Sequence, residues 1–265
     1  MDVVRRSLPT ETRAPGGETN GYLLAAGSSA VLVDPAARTD ALDDLLETRS
    51  VDVDHVLVTH VHPDHVGAVD HCAAETDATV WARAGRADRF REATGLEPDR
   101  VFYPGRTIPL GDDRVRVLDA PGHAPDHVAL EAGRDGPILC GDCAVQEGSV
   151  VVGAPEGDMR AYVTTLRRLW AIDPPALYPG HGPTIDTPRE TLERLLEHRY
   201  RRERRIREAV ADGARTLEEV LESAYEKDLS GVRDLARATV RAHLGKLTVE
   251  GRVVWDGERV RPASR

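Results

Sequence analysis

Short apolar runs separated by polar and turn residues dominate the first half of the chain. Gly21-Tyr22-Leu23-Leu24 and Ala30-Val31-Leu32-Val33 flank Gly27-Ser28-Ser29, a pattern that predicts two strands of a hairpin. Residues 39–48 place Leu42, Leu45 and Leu46 at helical spacing, and the run Val56-Leu57-Val58 reads as a strand. Ala78-Thr79-Val80-Trp81 follows a further helical stretch. Strand and helix alternating at this spacing predict an α/β architecture with buried sheets. Between residues 101 and 152 the helical period disappears. Val101-Phe102-Tyr103, Val115-Arg116-Val117-Leu118, His127-Val128-Ala129-Leu130, Pro137-Ile138-Leu139 and Val150-Val151-Val152 are predicted strands between Gly, Pro and Asp turns, so the sequence restarts a sheet. A helix from about Met159 to Trp170 and a short strand at Ala176-Leu177-Tyr178 complete this part.

Beyond Thr187-Pro188 the pattern changes. Residues 189–210 form a strongly helical, arginine-rich stretch, and Leu217–Tyr225 and Leu235–Leu247 read as two more helices. Asp256-Gly257 then separates two β-like runs, which predicts a closing hairpin. Helix, helix, hairpin is a winged-helix order. The expected organisation is therefore a domain over residues 1–188, a linking helix over 189–210 and a winged-helix-like module over 211–265. A chain of 265 residues is long enough for one domain of common size with a small appendage.

Chemistry concentrates in Thr59-His60-Val61-His62-Pro63-Asp64-His65, directly after a predicted strand. Imidazoles and a carboxylate at this density suit a borderline metal ion. His60 and His62, two apart, share a face only in extended chain, whereas a helical pair needs a spacing of four. Pro63 keeps His62 out of the α region and is well placed to open a helix whose first turn carries Asp64 and His65. His123 after Gly122, Asp142 after Gly141 and His181 after Gly180 are further candidates, each following an apolar or turn segment.

The ordered set His-x-His-x-Asp-His, Gly-His, Gly-Asp, Gly-His resembles the metallo-β-lactamase-fold hydrolases. That resemblance, over roughly residues 18–190, implies an αββα sandwich of two mixed sheets with metals at one edge. It implies one ion on His60, His62 and His123, a second on Asp64, His65 and His181, and Asp142 bridging the two. Histidine at position 62, where the related flavodiiron oxidoreductases carry glutamate, favours hydrolysis over redox chemistry. Zinc fits this thiolate-free set best, with iron and manganese accepting similar ligands. Two such ions would supply a bridging hydroxide at neutral pH, with Asp64 or Asp142 orienting its proton and relaying it to the leaving group. His127 is a candidate catalytic group, placed either to approach a substrate near the metals or to orient a loop. The expected substrate is a small ester, thioester or related molecule. The C-terminal order, with His198-Arg199 in the linking helix, is similar to the lactamase-β-like subfamily, whose members include an endoribonuclease. Single-strand RNA cleavage is therefore the alternative, and a non-catalytic nucleic-acid-binding or scaffold protein a further one. Thioester hydrolysis of the glyoxalase II kind matches the metal motif, but no glutathione-binding constellation is recognisable.

Charge narrows the choice. The net charge is −10, and only Lys227 and Lys246 among 35 basic residues are lysine. Residues 1–188 hold 17 basic against 30 acidic residues, and only the linking helix, with eight Arg against five Glu, is basic. An acidic surface repels a polyanion at long range. The linking-helix arginines could hold phosphates, but pairing with Glu197, Glu203 and Glu208 on a solvated face is the favoured reading. Three cysteines, Cys72, Cys140 and Cys143, form a poor disulfide framework, and Cys140 and Cys143 read as packing residues around Asp142. Met1–Arg6 lacks a signal-peptide apolar core, and no run approaches the roughly 18 apolar residues of a membrane span, so a cytoplasmic protein without a membrane partner is expected. His55, His71, His198 and His243 read as surface residues or satisfied contacts. Asp34 and Asp119, at the ends of strands, are candidates to fix imidazole tautomers. No nucleophilic-serine elbow or phosphate-cradling loop motif is present.

Overall fold

β2 (Glu18–Ala26) and β3 (Ser29–Val33) form the expected hairpin, pairing Tyr22 with Val33, Leu23 with Leu32 and Leu24 with Val31. The structure, a computed structural model, describes residues 1–47, 51–226 and 228–263. The chain divides into two compact units. The first comprises residues 1–120, 126–148 and 173–188, and the second residues 121–125, 149–172 and 189–265.

In the first unit, six described strands form a mixed sheet in the order β1 (Asp2–Pro9), β2, β3, β4 (Asp52–Leu57), β5 (Thr79–Arg83), β6 (Arg100–Phe102). β1, β2 and β3 are antiparallel, and β3 through β6 run parallel. The parallel crossovers are made by α1 (Asp40–Glu47), the pair α2 (Pro63–Val66) and α3 (Val69–Thr76), and α4 (Ala87–Thr94). The second sheet has the order β11 (Leu177–Pro179), β10 (Ile138–Gly141), β9 (Val128–Ala132), β8 (Asp113–Asp119), β7 (Thr107–Leu110), with only β10 and β11 parallel.

Period-two alternation explains the layering. Leu23, Ala30 and Leu32 face a core shared with Leu42 and Leu45 of α1, Val69 and Cys72 of α3 and Phe90 of α4. Their neighbours Tyr22, Leu24, Val31 and Val33 face Ile108, Val115, Val117, Val128 and Leu130 of the other sheet. Helices thus cover one face of the first sheet, and the second sheet covers the other.

Three strand assignments depart from the sequence expectation. β1 was not anticipated because most of its residues are half-exposed at a sheet edge, giving little apolar signal. β7 carries Pro109, which disguises it. Val150-Val151-Val152 forms no strand: its Val150 and Val151 carbonyls accept side-chain donors, Arg199 and His123, in place of a neighbouring strand.

In the second unit, α5 (Met159–Ile172) groups with α6 (Pro188–Ala211), α7 (Leu217–Ala224), α8 (Arg233–Val249) and a hairpin of β12 (Val253–Trp255) and β13 (Val260–Pro262). Trp170 of α5 donates to Glu193 of α6 at 2.9 Å, and Arg189 stacks on the Trp170 ring. Thr216 and Glu219 form a capping box that starts α7. Ile206, Val210, Val220, Leu221, Val240, Leu244, Val253 and Val260 make a core of their own. The expected Glu203 pairing with arginine is replaced: Glu203 bonds Lys246 at 2.6 Å. His243 also departs from expectation, being fully buried with no hydrogen bond at either ring nitrogen among the described residues. No described helix is long and apolar enough to cross a membrane.

Candidate metal centre

The loop after β4 has the predicted backbone. His62 precedes α2 with φ −64° and ψ 145°, extended as a residue before proline must be, and Pro63 opens the helix that carries Asp64 and His65. Asp142 follows β10 and His181 follows β11. Backbone bonds tie these loops together, Gly180 N–H to Gly141 at 2.9 Å and Asn20 N–H to Gly180 at 2.7 Å. Asn20 also donates through its amide to Pro179 and Gly182, and the Tyr22 hydroxyl donates to Pro179 at 2.6 Å, so β2 holds the His181 loop.

Two triads result in the first unit: His60, His65 and Asp142, and Asp64, His65 and His181, each with its candidate ligand atoms within 4.8 Å of one another. His62 joins them through Nδ1, 2.9 Å from His60 Nε2. His123 lies in the second unit, where its Nδ1 donates to Val151 at 2.8 Å.

Each histidine is turned by a defined partner. Asp34, at the end of β3 with φ 51°, accepts from the Thr59 N–H at 2.6 Å, the Thr59 hydroxyl at 2.8 Å and His65 Nδ1 at 2.9 Å. Because Thr59 gives its hydroxyl proton to Asp34, its oxygen accepts from His60 Nδ1 at 3.1 Å. One carboxylate thereby sets two rings, directly and through Thr59. His181 Nδ1 donates to the Glu18 carbonyl at 2.8 Å. In all three rings Nδ1 donates to an outer acceptor and Nε2 is the nitrogen turned toward the centre, the usual orientation of a ligating imidazole.

The remaining geometry fits an ion. His65 Nε2 is buried without a hydrogen bond. It lies 3.6 Å from Asp142 Oδ1, His181 Nε2 lies 3.5 Å from the same oxygen, and His181 Nε2 lies 3.6 Å from Asp64 Oδ2. Those contacts are too long for hydrogen bonds, yet donors around one tetrahedral ion at 2.0–2.2 Å stand about 3.3–3.6 Å apart. Burial alone would lower the His65 pKa, but Asp34, then Asp142 and Asp64, outweigh it and raise it to about 9. His181 behaves alike, burial being outweighed by Asp142. Gly180 is required by proximity: a Cβ there would lie 2.6 Å from Asp142 Oδ1 and 2.7 Å from His65 Cε1.

His127 is fully buried; its Nε2 accepts the Asp142 N–H at 3.0 Å, and its ring lies 4.9 Å from that of His60. Of the two strand-end carboxylates, Asp34 fixes imidazoles as expected, whereas Asp119 pairs with Arg83 at 2.7 Å. Asp126, missed in the sequence, accepts from the Val61 N–H at 2.9 Å and so fixes the backbone between His60 and His62. Burial pushes the Cys140 thiol up to about 12 and that of Cys143 well above its usual range, leaving both un-ionised.

A two-sheet sandwich carrying paired His/Asp triads at its strand ends defines a binuclear metalloprotein class compatible with hydrolysis. The sequence profile of the Metallo-beta-lactamase superfamily matches residues 14–181, and the chain belongs to that superfamily. It is 31% identical over 250 residues to the Beta-lactamase-like protein 2 homolog of Drosophila melanogaster, covering 89% of this chain and 84% of that one. It is 24% identical to the Atrochrysone carboxyl ACP thioesterase of Aspergillus fumigatus, over 82% of this chain and 71% of that one. The crystal structure of a metallo-beta-lactamase family protein from Thermus thermophilus superposes with a TM-score of 0.78 at 23% identity, covering 98% of both chains. The architecture is accordingly that of the superfamily, two mixed sheets flanked by helices and followed by a helical module with a small hairpin.

Proposed function

We propose that the protein is a dinuclear metal-dependent hydrolase of a small ester or thioester. The observation that carries this reading is the set of inward-facing Nε2 and carboxylate atoms spaced like the corners of a tetrahedral shell. His60, His62 and His123 would hold one ion, Asp64, His65 and His181 the other, and Asp142 both. Zinc suits this donor set best, and iron and manganese accept it too. Bound divalent ions supply a water of lowered pKa and polarise the oxygen of the bond under attack. The chain's own part is to orient and to move a proton: Asp64 or Asp142 would take it at a carboxylate oxygen and pass it to the leaving group. His127, by accepting the Asp142 N–H, positions that carboxylate. The domain over residues 1–188 is the catalytic one in this reading, joined by the 189–210 helix to a winged-helix-like module. A reducing, cytoplasmic setting is supported by three cysteines of which none is in a disulfide.

The similarity to a thioesterase supports the thioester arm. RNA cleavage is favoured by one observation, a cavity of roughly 220 Å³ lined by His198, Arg201, Arg202 and Arg205. Arg202, however, is stacked 3.4 Å from the Tyr225 ring, and Arg205 pairs with Glu226. Zinc-loaded protein and its Asp142→Ala variant, assayed against an acyl thioester, a lactam and single-stranded RNA, test the choice. Two ions per chain and thioester hydrolysis lost in Asp142→Ala are expected. RNA cleavage alone, diminished when Arg201, Arg202, Arg204 and Arg205 are reversed in charge, would replace this reading with the nuclease.

A further inference from the structure

The segment that failed to form a strand carries two adjacent carbonyls with different duties. Val151 accepts from His123 Nδ1 at 2.8 Å, and Val150 accepts from Arg199 Nη2 at 2.6 Å. A carbonyl can only accept, so His123 keeps its proton on Nδ1 and presents Nε2 as a lone pair.

Arg199 is an unusual residue for its place. It sits in α6 with 3% exposure, its guanidinium 5.1 Å over the ring of the fully buried Tyr162, and its Nε makes no hydrogen bond among the described residues. A buried guanidinium is costly unless its geometry is used, and an aliphatic side chain would fill the space with less desolvation. The charge-assisted bond to Val150 is the use it is put to.

The rest of the His123 loop is held from the same unit. Thr165 of α5 donates to Pro121 at 2.8 Å, and the Asp158 N–H donates to Gly122 at 2.8 Å. Gly122 packs so closely on α5 that a Cβ would lie 2.3 Å from Tyr162 Cα. These contacts place the loop's backbone, and the Val151 carbonyl sets the ring. Since consecutive peptide planes share one Cα, and Val151 is β-branched, fixing the Val150 carbonyl restricts where the Val151 carbonyl points.

We propose that Arg199 is a positioning residue for His123, aiming its imidazole through the Val150-Val151 carbonyl pair. The proposal rests on the reading of His123 as a metal ligand. Outer partners of ligating histidines alter metal affinity by about 10–100-fold, and a partner acting one peptide further away belongs at the lower end.

The test compares wild type with Arg199→Met, Arg199→Lys, His123→Ala and Val240→Ala, the last a destabilised control in the core of the same unit. Zinc affinity is measured by chelator competition, ligand geometry by the visible spectrum of the cobalt-substituted protein, and folding by circular dichroism and Tm. Arg199→Met should weaken one of two ions about tenfold and change the cobalt spectrum, while leaving the other ion in place. Arg199→Lys keeps a charged donor but not the planar fork, and should show the same changes at about threefold. His123→Ala should lose that ion more completely, and Val240→Ala should lose stability without changing affinity or spectrum.

If His123→Ala keeps both ions at wild-type affinity, the ligand reading itself fails. If it loses one while either folded Arg199 variant retains wild-type affinity and spectrum, the positioning role is overturned. An equal loss of affinity in Val240→Ala would overturn it also, by showing that general loosening of the unit is sufficient.

Discussion

Replacing Asp34 by asparagine keeps the shape of the side chain and removes the property the centre uses, an acceptor on both oxygens. In the wild type those oxygens take the Thr59 N–H, the Thr59 hydroxyl and His65 Nδ1. An amide NH2 facing His65 Nδ1–H sets donor against donor, and the ring must move its proton to Nε2, where a metal ion needs a lone pair. Zinc affinity should fall about 10–100-fold, or about 1.4–2.7 kcal/mol.

The ion-free protein offers a second, independent magnitude. Against the opposing effect of burial, Asp34 and the neighbouring carboxylates raise His65 from an ordinary 6.5 to about 9, which corresponds to about 3 kcal/mol of folding stability. Because the folded value lies above the unfolded one, this increment is complete below about pH 6.5 and disappears as pH rises through about 9. Urea unfolding of chelator-treated wild type and Asp34→Asn, at pH 6 and pH 9.5, measures it. The wild type should lose more stability than the variant between the two pH values, because the variant lacks the Asp34 share of the effect. Equal losses would refute the claim that Asp34 holds His65 as a cation in the ion-free state.

Two further outcomes follow from the same geometry. Gly180→Ala should weaken zinc binding by about tenfold or more, since its Cβ displaces the Asp142 carboxylate or the His65 ring; chelator competition giving wild-type affinity would contradict the close approach. Serine at both Cys140 and Cys143 should keep two ions and most turnover, at a stability cost of about 1–3 kcal/mol for burying hydroxyls, read by metal analysis, kinetics and urea unfolding.

The centre was legible where local chain geometry and chemistry coincide. His62-Pro63 announces an extended residue before a helix, and the structure has that turn. Asp34 was legible as a carboxylate at a strand end. Asp126 was not, since it reaches the Val61 N–H from 65 residues away and no local pattern marks it. Asn20 was missed for the same reason: its partners lie about 160 residues further along. In the fold, alternating apolar strands were readable, whereas half-exposed β1 and proline-bearing β7 were not. Val150–Val152 misled because apolar, β-branched residues look alike whether their carbonyls meet another strand or a buried arginine.

Both faces of β2 and β3 are apolar and buried, so sliding one strand past the other by a residue would exchange Leu for Val or Ala and expose little to water. Greasy pattern alone therefore discriminates poorly between the native pairing and its neighbours. The discrimination comes from the strand ends, where Thr19, Asn20 and Asp34 are buried polar groups; the partners of Asn20 and Asp34 are met only in one alignment. The residues that shape the centre are thus also the ones that index the sheet. A descendant that abandoned the chemistry and let these positions drift would lose its alignment marks, and would have to acquire new ones before it could keep the fold.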